Sequence, residues 1–333
     1  MRREDVILHG HQRLSRRGMV GLAALTSGAA LLGDAAHAQQ PAQAVPARPP
    51  SNLQDQSLPY APLQVTSSDG TSIAAQQWGN PDGQEIVFIH GVLQSHLSFE
   101  QQVHSGLAEA FRMVTYDLRG HGDSGKPVGR EHYLDGGLWA DDLAAVITCA
   151  GLRRPVLVGW SLGGLCIGNY LAKFGDAKLA GLNFVDALTK RSRDFAGLPE
   201  NRTLLPQTAS PDLGIRIDAL RGFLRACFKI QPEADAFERM LAFNAQVPQH
   251  VMASILGGIS LDPEEAYRRV KVPVLVTHGA EDGLISIKIT EYDRSVMPRS
   301  TLSIYEGSGH SPFYEMAPRF NAELAAFVRA ANA

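Results

Sequence analysis

The chain has 333 residues, 44% of them apolar and 20% charged, with a net charge of −3, which suits one or two compact folded domains. Without a long basic run it offers no stripe for phosphate backbones, so a nucleic-acid partner is not expected. It has neither a Cys/His cluster of zinc spacing nor a Gly-rich loop ending in Gly-Lys, so no metal and no cofactor are expected.

The N-terminal segments read as addressing rather than fold. Ser15-Arg16-Arg17-Gly18-Met19-Val20 precedes a weakly apolar stretch from Gly21 to Gly33, and Ala36-His37-Ala38 follows as an A-x-A-like cleavage site. The arginine pair and the Gly/Ala/Thr-rich core resemble a bacterial twin-arginine signal, with Met19-Val20 as a departure from it. Residues 1–38 are therefore expected to engage the export machinery and to deliver the chain to the periplasm or outside the cell. The stretch is too short and too weakly apolar for a permanent membrane span. Its removal takes away five arginines and three carboxylates, leaving 26 basic and 31 acidic residues, a net −5. Residues 39–62 carry Pro41, Pro46, Pro49, Pro50, Pro59 and Pro62 among Gln and Ala. Such a composition cannot offset its ordering entropy by burial and predicts an extended linker.

From Leu63 onward strands and helices alternate. Leu63–Val65 and 72–78 flank Asp69-Gly70, a hairpin signal. Then come a strand at 85–89, a helix near 97–110, a strand at 111–117, a helix at 138–150, a strand at 155–160, a helix at 162–174 and a strand at 180–186. Residues 187–268 break the rhythm with helical apolar spacing, as in Ile217, Leu220, Phe223, Leu224 and Cys227. The alternation resumes with a strand at 272–278, a helix near 287–296, a strand at 301–305 and a last helix at 317–331. Such alternation predicts a mostly parallel sheet with helices on both faces, and places ligands at the C-terminal ends of its strands.

Four strand ends carry chemistry. Pro155-Val156-Leu157-Val158 runs into Gly159-Trp160-Ser161-Leu162-Gly163, the form of a nucleophile elbow, in which a sharp strand-to-helix reversal lifts a serine hydroxyl clear of the sheet. The strand ending at His90-Gly91 leads into a loop that can aim a backbone N–H at a developing oxyanion. Val92 is the candidate donor there, and Leu162, after the nucleophile, is the second. His90, Gly91 and Trp160 are assigned to the substrate-binding wall, with no proton transfer given to His90. The strand ending at His278-Gly279 leads to Glu281 and Asp282; Asp282 is favoured as the carboxylate that orients a histidine, with Asp186 as its rival. Gly307-Ser308-Gly309-His310 presents the base. The order Ser161, Asp282, His310 separates this triad from other serine triads.

These motifs, with Asp117-Leu118-Arg119-Gly120-His121-Gly122-Asp123-Ser124 and Gly309-His310-Ser311-Pro312-Phe313, resemble the α/β-hydrolase superfamily, in its branch of small esterases and cofactor-free haloperoxidase-like or perhydrolase-like enzymes. The resemblance runs from about Leu63 to the C-terminus. It implies an α/β-hydrolase core from 63–186 and 269–333, a helical cap at 187–268, and a largely structural role for the Asp117–Ser124 loop. It implies a serine hydrolase, carboxylesterase-like, acting without cofactor on small-molecule esters. Many haloperoxidase-like members carry proline two residues after His-Gly, where this chain has Leu93, and their elbow often differs next to the serine, where it has Trp160. Both departures place ester hydrolysis ahead of perhydrolysis, with lactonase or carbon–carbon hydrolase chemistry as further alternatives and a non-catalytic binding shell last. The apolar cap suggests a modest hydrophobic acyl or alcohol group. Of the three cysteines, Cys149 and Cys166 are expected to pack as small hydrophobes, while a disulfide through Cys227 stays open without positive support.

Overall fold

The computed structural model describes residues 60–260 and 262–333. The export segment at 1–38 and nearly all of the linker at 39–62 lie outside the described residues. Eight strands form one sheet: β1 (Ala61–Thr66), β2 (Ser72–Gly79), β3 (Gln84–Ile89), β4 (Phe111–Tyr116), β5 (Val156–Trp160), β6 (Gly181–Val185), β7 (Val274–Gly279) and β8 (Thr301–Tyr305). Their spatial order is β1-β2-β4-β3-β5-β6-β7-β8. The β1–β2 and β2–β4 pairs are antiparallel and the remaining pairs parallel. Every residue of β5, β6 and β7 is buried, which explains their mainly apolar runs, since helices cover both faces of a parallel sheet; the buried Thr277 hydroxyl donates to Asn183 Oδ1 on the neighbouring strand.

Helices of eight or more residues are α1 (Gly136–Cys149), α2 (Leu162–Phe174), α3 (Leu213–Ala226), α4 (Ala234–Ala245), α5 (Gln249–Leu256), α6 (Ile289–Val296) and α7 (Ala317–Ala331). Three of these, α3 to α5, belong to the insert between β6 and β7. Its apolar stripe is spent on packing: Leu220, Phe223 and Leu224 of α3, Phe237 and Phe243 of α4, and Val251, Met252 and Ile255 of α5 are buried.

Several expectations are adjusted. The strand expected from Leu63 begins at Ala61, so the last two residues of the expected linker pair with Gln77 and Gln76; Pro62 is tolerated because β1 is an edge. The helix expected near 97–110 is broken into turns at His96–Phe99, Glu100–Val103 and Leu107–Ala110. Ser105 makes the last break by accepting the Leu107 N–H, and Ser95 caps the start of the first turn by accepting the Leu97 N–H, local bonds that compete with a continuous helix. The strand expected from Val272 starts at Val274, because the Lys271 and Val272 N–H groups are taken by Asp176 Oδ2. All three cysteines are free, but Cys149 is exposed rather than packed. Among the described residues no helix is long and apolar enough to cross a membrane.

Candidate active site

Only three non-glycine residues among those described have positive φ: Leu93 (66°), Ser161 (53°) and Asp186 (41°). Each follows the C-terminal end of a central strand. Such conformations cost of order 1–3 kcal/mol apiece and persist where the surroundings enforce them.

Ser161 joins β5 to α2. Its N–H donates to Val185 O at 3.0 Å, and its carbonyl accepts from Leu188 N at 2.9 Å and Gly164 N at 3.0 Å. The reversal brings α2 against the end of β3. A Cβ on Gly163 would lie 2.2 Å from Ile89 O, and one on Gly164 would lie 2.4 Å from the Ala187 Cβ. The glycines after the serine are thus required by contact. Leu162, as the first helical residue, has an N–H without an intrahelical acceptor. Across the cleft the chain leaves β3 through His90, Gly91 and Val92. A Cβ on Gly91 would lie 3.1 Å from the Ser161 Cβ, so this loop passes directly over the serine.

The base and acid come together. His310 Nδ1–H donates to Asp282 Oδ2 at 2.7 Å, with both side chains buried. Asp282 Oδ1 accepts from Leu284 N at 2.7 Å and Ile285 N at 3.0 Å. Burial opposes ionisation of Asp282, but the charge and hydrogen bond of His310, the nearby His278 and the Ile285 N–H outweigh it and hold the pKa below the usual carboxylate range. The rival Asp186 does not reach His310: its Oδ1 accepts from Gly279 N at 2.8 Å. Glu281 is exposed and accepts from Gly307 N. Among the described residues no hydrogen bond joins the Ser161 hydroxyl to the His310 ring. Such contacts are commonly long in free enzymes and tighten with substrate. The serine and the base loop are tied otherwise: Trp160 Nε1–H donates to His310 O at 2.7 Å, and the two rings lie 5.7 Å apart.

Two of the expected substrate-wall residues take another role. His90 is fully buried; its Nδ1–H donates to Gly91 O at 2.7 Å and its Nε2 accepts from Leu118 N at 3.0 Å. Burial pushes its pKa down to about 4, so it is a neutral staple between two loops, with no atom left for a ligand. Trp160 is likewise buried and spends its N–H on His310. Of the three, Gly91 is the one whose backbone passes over the Ser161 side chain.

The Asp117–Ser124 loop is held from within. Asp117 accepts from His96 N at 2.7 Å and Asp123 N at 2.9 Å, and Arg119 forms a buried two-bond contact with Asp142, each bond 2.7 Å. One residue the sequence reading passed over is Glu315. Its Oε1 accepts from Gly309 N at 2.9 Å, and its Oε2 from Lys229 N at 2.9 Å and Ile230 N at 2.6 Å. It fastens the His310 loop to the middle of the insert, between α3 and α4. The only signal was a carboxylate on the turn after Gly-His-Ser-Pro. Two cavities of about 460 and 410 Å³ flank the acid loop rather than opening on the serine hydroxyl. Leu284, whose N–H donates to Asp282, and Leu188, whose N–H donates to the Ser161 carbonyl, line them with Phe195, Leu198 and Leu205, and Arg191, Arg193 and Arg202 share the same walls.

The model of the Alpha/beta hydrolase family matches residues 86–323. The chain belongs to that family. This α/β hydrolase is 28% identical over 287 residues to a non-heme haloperoxidase of Rhodococcus erythropolis, covering 79% of this chain and 98% of that protein. It is 28% identical over 282 residues to the bifunctional esterase/perhydrolase DCH of Acinetobacter calcoaceticus, covering 80% and 99%. Among solved structures, a provisionally named aryl esterase from Burkholderia cenocepacia is 40% identical, with TM-score 0.78 over 81% of this hydrolase and 99% of that chain. The esterase RhEst1 from Rhodococcus sp. ECU1013 is 32% identical, with TM-score 0.75 over 82% and 99%.

Proposed function

We propose that this α/β hydrolase cleaves carboxylic esters of small to medium, rather apolar substrates through an acyl-enzyme on Ser161. The observation that carries the reading is the left-handed Ser161 at the end of β5, beside a buried His310–Asp282 pair and beneath the loop that holds Val92. In this mechanism His310 Nε2 takes the Ser161 proton as the hydroxyl attacks the ester carbonyl. Asp282 fixes the tautomer of His310 and offsets the positive charge it acquires. The N–H groups of Val92 and Leu162 receive the oxyanion, each such donor being worth about 3 kcal/mol of barrier. His310 then returns its proton to the departing alcohol and activates a water that frees the acid. The reading of a modest hydrophobic group rests on Leu188, Phe195, Leu198, Leu205 and Leu284, the apolar part of the two cavities beside the acid loop, whose walls also carry Arg191, Arg193 and Arg202.

The names of the relatives favour one alternative, peroxide as the acyl acceptor. Leu93 weighs against it: at φ 66° its position cannot be taken by a proline, whose ring holds φ near −65°, so a proline-bearing loop would need another course here. We expect Ser161→Ala to lower kcat/KM for p-nitrophenyl esters by at least about 10⁴-fold with unchanged circular dichroism, and to abolish labelling by a fluorophosphonate probe. Substantial residual turnover in that variant would sink the reading. Peroxide-dependent bromination faster than ester hydrolysis would favour the alternative.

We propose further that residues 1–38 direct export and that cleavage after Ala38 yields the mature enzyme. The arginine pair and Ala36-His37-Ala38 support this. N-terminal sequencing of protein recovered from the periplasm or medium tests it; a mature form beginning at Met1 would count against it.

A further inference from the structure

Asp186 is held in an uncommon backbone state for no packing reason that its side chain discloses. Its carboxyl is fully buried; Oδ1 accepts from Gly279 N, while Oδ2 has no hydrogen-bond partner. Oxygens of Asp186 and Asp282 and a ring nitrogen of His278 all lie within 4.8 Å of one another. Two ionised carboxylates in such a place would repel strongly without water to screen them. His278, with ring nitrogens 3.7 Å from Asp186 Oδ1 and 3.6 Å from Asp282 Oδ2, can offset at most one of the two charges. Its Nε2–H donates to Ile285 O at 3.3 Å, and burial pushes its pKa down.

We propose that Asp186 is a positioning residue, protonated at neutral pH, whose Oδ2–H is shared with the Asp282 carboxylate. This rests on Asp282 being the triad acid. The inference supplies the missing partner for Oδ2, removes the repulsion, and gives the left-handed backbone a purpose, since φ 41° turns the side chain beneath the acid loop. Asp282 then has all its acceptor positions directed: two backbone N–H groups on Oδ1, His310 on Oδ2, and the Asp186 proton from the side. Burial, and then the charge of Asp282, raise the Asp186 pKa well above the ordinary carboxylate value. The titratable groups facing the pair are His278, His310, Cys227, Tyr305 and Glu315. Among these, Cys227 is also pushed up by burial and stays neutral.

A donor to Asp282 restrains how tightly that carboxylate holds a protonated imidazole. Removing it moves the acid limb of kcat/KM to higher pH, because the base gives up its proton less readily. Asp186→Asn keeps an N–H where the O–H stood, keeps the net charge, and tolerates positive φ. Asp186→Gly tolerates the backbone and removes the donor. We expect the Asn variant to retain the wild-type acid limb and activity within about threefold, and the Gly variant to lose about 10- to 100-fold in kcat with its acid limb displaced upward. A merely structural role would not separate the two variants in this way. Equal impairment of both, or a Gly variant with an unshifted limb, would overturn the proposal. A second measurement needs no turnover: the infrared spectrum of wild type minus that of Asp186→Asn at pH 7, in which the signal of the other buried carboxyl with a raised pKa, Asp293, cancels, should contain a protonated-carboxyl band. A difference spectrum without that band would also overturn the proposal. Failure of the Ser161 experiment would instead strike the hydrolase reading and leave the infrared result untouched.

Discussion

Trp160 spans the distance between nucleophile and base. It precedes Ser161, its indole N–H holds the His310 carbonyl, and its ring packs 4.8 Å from Phe313. Trp160→Phe keeps an aromatic ring in the site while removing the bond. A neutral hydrogen bond contributes about 1 kcal/mol, so we expect kcat to fall roughly five- to tenfold with little change in thermal midpoint, read by ester turnover and calorimetry. The residues of the proposed triad stand out in the sequence because each lies where a run of apolar residues stops at a polar loop. The competition between Asp282 and Asp186 was not settled by sequence, since both satisfy that rule; the decision lies in which loop points its carboxylate at His310. His90 was misread for a similar reason. A histidine beside glycine at a strand end looks like a ligand residue, and only the Leu118 N–H arriving from another loop reveals its use.

The elbow is an element-scale device, since the close contact of α2 with β3 holds the serine in its conformation. With a Cβ on Gly163 forced to 2.2 Å from a backbone oxygen, neither element can yield cheaply. Gly163→Ala is expected to cost about 2–4 kcal/mol or to prevent folding, measured by chemical denaturation and soluble yield. A fully stable Ala variant would contradict the packing described here. The central strands were legible because burial on both faces leaves a long apolar signature. The segment after β3 was not, because Ser95 and Ser105 redirect local N–H groups in a way that apolar spacing does not register. The insert was legible as helical, but its stripes gave no sign of which residues approach the serine.

At the scale of the molecule, buried histidines couple acidity to stability. His90 stays neutral in the fold, down to a pKa of about 4, whereas an unfolded histidine titrates near 6.5. The unfolded chain therefore binds the proton first as pH falls, and the stabilisation by neutral His90, complete above about pH 6.5, is lost progressively between about 6.5 and 4. Asp293 works in the opposite sense, its pKa being raised by burial to about 7, so the wild-type curve alone does not isolate His90. The gap in unfolding free energy between wild type and His90→Asn does, and should narrow by about 2 kcal/mol from pH 7.5 to pH 5. A constant gap would show that His90 takes up a proton in the folded state.

The carboxylate of Glu315 bridges two pieces of chain far apart in sequence: the turn that carries His310, and the loop after α3 at Lys229 and Ile230. For anyone recombining cassettes among relatives, this makes 187–268 an incomplete module. A foreign insert spliced onto this core would need main-chain donors in the same place, or the transplanted piece would leave the His310 loop unmoored.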